Sequence, residues 1–114
     1  LSPLTDISDK EIKGEILYVD NFGNCQTNIS PEELKEKNFQ IGDSLSLTVE
    51  NQDLTSKWCN NYENNAGGVG VVTDSWGMIS IFLSNGDASK LLNCKDGSKV
   101  TIKAESLTKR LNLK

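Results

Sequence analysis

Hydrophobic and polar positions alternate along this chain over short stretches, a pattern typical of β-strands buried on one face. In the first stretch, Ile12, Ile16 and Tyr18 fall on one face, and residues 69–73 and 78–83 flank a short turn as a hairpin. The predicted strands are residues 11–20, 25–29, 45–50, 53–59, 69–73, 78–83 and 99–103. Many short strands with glycine-containing turns predict an all-β fold, a closed or nearly closed antiparallel β-barrel.

Two short helices are predicted between the strands. Ser30, Pro31 and Glu33 have the spacing of a capping box with proline at the first helical position, so a helix is expected over residues 31–37. One or two helical turns are expected over residues 88–93. The fold expected is therefore a barrel with two short helices.

The length of 114 residues suits one domain with its own core. Residues 1–10 are polar and are interpreted as a linker or a remnant of an upstream domain, and residues 11–114 as a single β-barrel domain. Within that domain, residues 104–114 are a candidate edge strand. The chain begins at Leu1 with neither an initiator methionine nor the pattern of a signal peptide, which indicates a piece of a longer, cytoplasmic protein.

The composition narrows the possible partners and chemistries. Sixteen acidic residues against twelve basic ones disfavour nucleic acid and membrane surfaces as partners, because both attract basic side chains. Three widely spaced cysteines without a C-x-x-C pair indicate reduced thiols rather than a disulfide framework. The chain has no histidine, so nucleophile–imidazole pairs and imidazole-based zinc sites are impossible within it. General acid–base chemistry would then fall to carboxylates or thiols, so self-contained catalysis is disfavoured, and no metal site is expected.

The most informative polar cluster, residues 20–28, directly follows the first predicted strand. A tight turn explains Asp20 and Gly23, because Asp bonds its own backbone and glycine tolerates a positive φ. A turn does not explain the aromatic ring and the further side-chain amides. The carboxamide of Asn24 could pair with the edge of a base, and Phe22 could cover a ring face. The turn and the binding surface remain open alternatives at this point.

A second pair of polar segments lies at the two ends of the predicted strand 78–83. Ser75 belongs to the turn before this strand, and Asn85 with Gly86 follows it. A barrel can bring only one end of this strand beside Asn24, unless strong curvature or a neighbouring subunit brings the other end there as well. Ordinary turn roles are favoured for both segments, although the start of a helix at Gly86 could present backbone N–H groups to a ligand.

Residues 14–29 read Gly-Glu-Ile-Leu-Tyr-Val-Asp-Asn-Phe-Gly-Asn-Cys-Gln-Thr-Asn-Ile. This run resembles the opening of the C-terminal domain of the S-adenosylmethionine (SAM) hydroxide adenosyltransferases, SAM hydrolases related to the SAM-dependent fluorinases and chlorinases. The Asp-Ser-x-Gly turn at residues 74–77 and the Asn-Gly-x-Ala segment at residues 85–88 follow in the family's order. The resemblance covers roughly residues 12–103.

The resemblance implies a two-domain enzyme, usually a homotrimer, whose substrate lies between the N-terminal domain of one subunit and the C-terminal barrel of the next. It implies that Asn24 and the backbone near Gly86 hold the adenine edge, and that Asp20 meets the methionine ammonium group. Phe22 and Tyr62 would lie against the ring, and Ser75 with Trp76 would position the methionine carboxylate. The expected substrate-binding residues are Asp20, Phe22, Asn24, Tyr62, Ser75, Trp76, Asn85 and Gly86.

Two positions depart from the family pattern. Asn21 stands where arginine is common, and Gln26 stands where the halogenases carry an aromatic residue, which points away from halogenation. The resemblance also implies that the water-activating Asp, Arg and His belong to the N-terminal domain, so no catalytic residue is expected in this chain.

The function expected is therefore the adenosine- and SAM-binding C-terminal domain of a SAM hydrolase, which converts SAM and water to adenosine and methionine. SAM is the substrate, no cofactor is expected, and the partner is the N-terminal catalytic domain of the same protein. The isolated chain is not expected to be active. The alternative is a stand-alone nucleoside-binding barrel without catalysis, while the acidity of the chain disfavours an oligonucleotide-binding barrel.

Overall fold

The computed structural model describes residues 11–62 and 68–104, which form seven strands and two helices. In chain order these are β1 (Glu11–Val19), β2 (Cys25–Thr27), α1 (Pro31–Glu36), β3 (Ser44–Val49), β4 (Gln52–Lys57), β5 (Val69–Thr73), β6 (Ile79–Leu83), α2 (Ala88–Leu92) and β7 (Lys99–Ala104). The proposed linker at residues 1–10 and the candidate edge strand after residue 104 lie outside the described residues.

The strands form one sheet in the order β4-β3-β7-β1-β2-β6-β5, and every neighbouring pair is antiparallel. The two edges of this sheet approach each other, because Trp58, directly after β4, forms an isolated bridge with Val71 of β5. The result is a nearly closed barrel, which confirms the predicted all-β fold with two short helices.

The alternation of the sequence places one face of each strand in the barrel interior. Leu45, Leu47 and Val49 of β3 are fully buried there, together with Trp58. β5 and β6 are buried on both faces, because Val72 and Phe82 form a smaller cluster separate from the main core. This second cluster packs on the outer face of β5 and β6.

A β-bulge in β1 changes the face on which Tyr18 lies. Ile16 pairs with Thr27 of β2, whereas Tyr18 pairs with Gln26, so the register shifts between Ile16 and Tyr18. A bulge inserts an extra residue and turns the following side chain to the other face. Simple alternation placed Tyr18 on the face of Ile16, but in the structure Ile16 is buried and Tyr18 is 57% exposed.

The two helices start where the sequence predicted. The Ser30 hydroxyl accepts the Glu33 N–H at 3.2 Å, and the Ser30 N–H donates to the Glu33 carboxylate at 2.9 Å, which confirms the capping box. Asp87 caps α2 by accepting the Lys90 N–H at 3.0 Å. In the described part of the chain, neither helix has the length and apolarity that a membrane span requires.

Candidate functional site

A depression of about 110 Å³ opens on the outer surface of the barrel over β1, β2 and β6. Its floor is a row of three side chains, Tyr18, Gln26 and Ser80, which are register partners across these adjacent strands. Because side chains at paired positions lie on the same face of a sheet, the β1 bulge that turns Tyr18 outward completes this row. The walls come from two turns and from the residues after β4, and they contribute Asp20, Asn24, Tyr62, Asp74, Ser75 and Trp76.

The turn between β1 and β2 is built by the Asp20 carboxylate. One carboxylate oxygen accepts the backbone N–H groups of Phe22 at 2.8 Å and Asn24 at 2.9 Å, and the Asp20 carbonyl accepts the Gly23 N–H at 3.0 Å. These are the local bonds by which an aspartate stabilises a turn. The second carboxylate oxygen accepts the side-chain amide of Asn24 at 3.2 Å, so this turn also fixes the Asn24 side chain at the edge of the depression.

Asp74 plays the same part in the turn between β5 and β6. One of its carboxylate oxygens accepts the backbone N–H groups of Trp76 at 2.9 Å and Met78 at 3.0 Å. The other accepts the Gln26 amide at 3.0 Å and the Ser80 hydroxyl at 2.8 Å. Burial raises the pKa of Asp74, but these hydrogen bonds to the charged form outweigh it, so its pKa lies below the usual range. Asp74 is thus ionised at neutral pH and joins the turn to the floor.

The depression combines flat aromatic surfaces with negative charge. The Tyr62 ring packs edge-on against Phe82, with ring centroids 5.4 Å apart. Burial and the negative charges of Asp74 and Asp20 raise the pKa of Tyr62, so its hydroxyl remains a donor. Among the described lining residues two are carboxylates and none is basic. Such a surface suits a flat ligand that carries hydrogen-bond donors or positive charge.

Five of the eight residues expected to bind substrate come together here, namely Asp20, Asn24, Tyr62, Ser75 and Trp76. The other three, Phe22, Asn85 and Gly86, do not line the depression. Phe22 is 78% exposed, and the Gly86 N–H donates to the Leu83 carbonyl within a turn. This turn leads into α2, which contacts the β1–β2 turn away from the depression. The contact is a hydrogen bond from the Ser89 N–H to the Gly23 carbonyl at 3.0 Å.

Sequence reasoning missed four lining residues. Gln26 lies inside the first family motif but at a position where the chain departs from the family pattern, so the resemblance assigns it no role. The sequence indicates only a turn role for Asp74 and only a strand position for Ser80. Tyr18 gave no signal in the sequence, because its orientation depends on the bulge.

A family model described as the SAM hydroxide adenosyltransferase C-terminal domain matches residues 14–101, more than half of the chain. The chain belongs to this family. The match includes both turns that wall the depression and the three floor residues Tyr18, Gln26 and Ser80. Within the described residues, no group of three or more His, Cys, Asp or Glu side chains is placed to hold a metal ion.

Solved structures share the fold of this SAM hydroxide adenosyltransferase C-terminal domain. An uncharacterized conserved protein from Thermotoga maritima is 27% identical, with a TM-score of 0.79 over 83% of the chain and 36% of its own length. A conserved hypothetical protein from Thermus thermophilus is 22% identical, with a TM-score of 0.59 over 79% of the chain and 34% of its own length. The chain therefore spans about a third of each of these proteins. No curated protein sequence matches it.

The Thr27–Asn28 pair that closes the first family motif is structural in this SAM hydroxide adenosyltransferase domain. The Thr27 hydroxyl donates to the Ile79 carbonyl at 2.7 Å and accepts the Ile29 N–H at 3.1 Å. The Asn28 side-chain oxygen accepts the Glu15 N–H at 2.9 Å. The side chains of Thr27 and Asn28 thus pair with backbone groups where β2 ends. The first family motif therefore has a structural part, Thr27 and Asn28, and a part that lines the depression, Asp20, Asn24 and Gln26.

Proposed function

We propose that this chain is the adenosine-side domain of an enzyme that hydrolyses SAM to adenosine and methionine. The observation that carries the proposal is the meeting of two family motifs in one depression, Asp20 and Asn24 from the first and Ser75 and Trp76 from the second. The motifs are separated by about fifty residues of sequence, and β2 and β6 bring them together. Family membership and this convergence support a shared ligand.

The composition of the depression suits the two ends of SAM. Asn24 offers its amide to the adenine edge, and Tyr62 and Trp76 offer aromatic faces. Asp20 supplies negative charge toward the methionine ammonium group, and Ser75 a hydroxyl toward the carboxylate. Phe22 and the Asn85–Gly86 turn would contact the ligand only outside this depression.

The depression is open, so a second surface has to complete the site. Trp76 is 81% exposed and Tyr18 is 57% exposed at its rim. Exposed aromatic clusters of this kind mark interaction surfaces. We assign the covering surface to an N-terminal catalytic domain of the same protein, contributed by a neighbouring subunit of a homotrimer. The three free thiols, at Cys25, Cys59 and Cys94, fit the reducing cytoplasm as the location of such an enzyme.

The contribution of this domain to the reaction is positioning. Water attacks the C5′ carbon of the ribose and displaces the sulfonium, so the base, the ribose and the methionine have to be held in line with the attacking water. Fixed geometry of this kind supplies several kcal/mol of the barrier, up to about 7–11 kcal/mol in well-oriented systems. The family resemblance implies that the groups that activate the water belong to the N-terminal domain, and the lack of histidine in this chain agrees with that assignment.

Chromatography of SAM incubations tests the proposal. The full-length protein should release adenosine and methionine in equal amounts, and the isolated chain should release neither above a no-protein control, because it has no second wall to exclude bulk water. Binding of adenosine by the full-length protein without turnover would favour the alternative, a nucleoside-binding barrel without catalysis. Turnover by the isolated chain would show that the catalytic groups lie within it.

A further inference from the structure

Two side-chain amides line the depression, and each donates to a carboxylate beside it. Asn24 donates to Asp20 at 3.2 Å, and Gln26 donates to Asp74 at 3.0 Å. Both carboxylates also accept backbone N–H groups of their own turns, so neither is free to move independently of the wall that carries it. The two amide–carboxylate pairs are therefore fixed parts of the site.

The Asp74 carboxylate determines which way the Gln26 amide points. An ionised carboxylate only accepts hydrogen bonds, so the amide group of Gln26 has to face it with its nitrogen rather than its oxygen. The Ser80 hydroxyl also donates to this carboxylate oxygen, at 2.8 Å. Its hydrogen is therefore used by Asp74 and is not available to the Gln26 carbonyl oxygen. The Gln26 carbonyl oxygen is directed away from Asp74, and within residues 11–62 and 68–104 it receives no hydrogen bond.

Gln26 also occupies the centre of the floor. It lies between Tyr18 on β1 and Ser80 on β6 and is half-buried. A ligand that fills the depression would lie over this position, and an acceptor buried beneath a ligand discriminates strongly against one that fails to pair with it.

We propose that Gln26, oriented by Asp74, is a specificity-determining residue whose carbonyl oxygen accepts a hydrogen bond from the bound nucleoside. This inference rests on the proposed function. The ligand group is a donor, either the exocyclic amine of adenine or a ribose hydroxyl. A nucleoside that places an acceptor or no polar group at the same point binds less tightly.

Asp74→Asn tests the proposal by reversing the polarity of Gln26. The new side chain keeps one oxygen for the Trp76 and Met78 N–H groups, but it places an NH₂ donor where Gln26 now donates. The Gln26 amide then has to turn its oxygen toward residue 74 and present its NH₂ group to the ligand. Gln26→Met removes both polar groups while keeping the length of the side chain.

The measurement is a set of affinities of the full-length protein for adenosine, inosine, 2′-deoxyadenosine and 3′-deoxyadenosine. The wild-type protein should prefer adenosine over the analogue that lacks the recognised donor by about 10- to 100-fold, the cost of an unpaired half-buried acceptor. Gln26→Met should bring that one ratio close to unity, and Asp74→Asn should bring it to unity or invert it. The analogue whose ratio changes identifies the donor as the amine or a hydroxyl.

A matched carboxylate-to-amide control is Asp53→Asn, at an exposed hydrogen bond with Thr48 on the β3–β4 hairpin. It should leave every ratio unchanged. If Asp74→Asn and Gln26→Met weaken all four nucleosides equally, the pair has only a structural role and the inference is wrong. If the wild-type protein binds none of the four nucleosides, the proposed function itself fails and this inference fails with it.

Discussion

Replacing Thr27 by valine tests whether the hydroxyl of this residue, rather than its methyl group, holds β2 to β6. Thr27 is fully buried, and its hydroxyl joins two backbone groups, the Ile79 carbonyl at 2.7 Å and the Ile29 N–H at 3.1 Å. Valine has nearly the same volume, so the substitution leaves no cavity. It removes both hydrogen bonds and leaves two buried backbone groups without these partners.

The expected cost follows from those two groups. A buried donor or acceptor left unpaired costs about 1–3 kcal/mol, so the loss of partners for two such groups in Thr27→Val should lower the free energy of unfolding by about 2–6 kcal/mol. Thr27→Ser keeps the hydroxyl and loses one buried methyl group, which should cost about 1 kcal/mol. Hydrophobic burial alone predicts the opposite order, because valine is the more apolar residue.

Urea unfolding of the chain, followed by tryptophan fluorescence, measures both changes. Thr101→Val on β7 is the matched control, because its hydroxyl makes no hydrogen bond among the described residues; it should stay within about 0.5 kcal/mol of wild type. A Thr27→Val variant that is as stable as Thr27→Ser, or more stable, would refute the structural role given to the Thr-Asn end of the motif.

Two further predictions follow from the shifted pKa values. Hydrogen bonds hold the pKa of Asp74 below its usual range in the folded state. Ionised Asp74 therefore stabilises the fold fully at pH values above the ordinary aspartate pKa of about 4. This stabilisation is lost as the pH falls through the lower pKa of the folded state. Acid should therefore lower the unfolding free energy of wild type more than that of Asp74→Asn, and equal pH dependence of the two proteins would contradict this. Burial raises the pKa of the Cys25 and Cys94 thiols. Iodoacetamide at neutral pH should therefore alkylate these two thiols more slowly in the folded chain than in the chain unfolded in urea. Equal rates in the two states would show that the fold protects neither thiol.

The strands and helices were largely predictable because their signals are local. Alternation located β3, and the capping box located α1, since both depend on residues a few positions apart. The end of β2 was placed two residues too late, at residue 29 instead of Thr27. The sequence there continues to look like a strand, but the side chains of Thr27 and Asn28 take over the hydrogen bonds that a longer ladder would have made.

The candidate site was only partly predictable because it depends on contacts between distant segments. The motif pointed to Asn24, and the second turn pointed to Ser75, but neither could show that Gln26 and Asp74, 48 positions apart, form a hydrogen bond. The position of Tyr18 depends on a bulge that is defined only by pairing with β2. The carboxylates that fix the amides of the site were visible in the sequence only as turn residues.

According to the proposed function, the depression binds the adenosine part of SAM through Asn24. Asn24→Ala removes the amide, while the backbone N–H that donates to Asp20 remains, so the turn and the melting temperature should be preserved. The matched control is Asn21→Ala, an exposed position three residues earlier that does not line the depression.

Isothermal titration of adenosine into the full-length protein and both variants, with a thermal melt of each, is the most direct test. We expect Asn24→Ala to bind about 10- to 100-fold more weakly than wild type, since an unpaired polar group on the ligand costs about 1–3 kcal/mol. Asn21→Ala should bind like wild type, and both variants should melt near the wild-type temperature. If Asn24→Ala instead folds and binds adenosine as tightly as wild type, the adenosine site lies elsewhere.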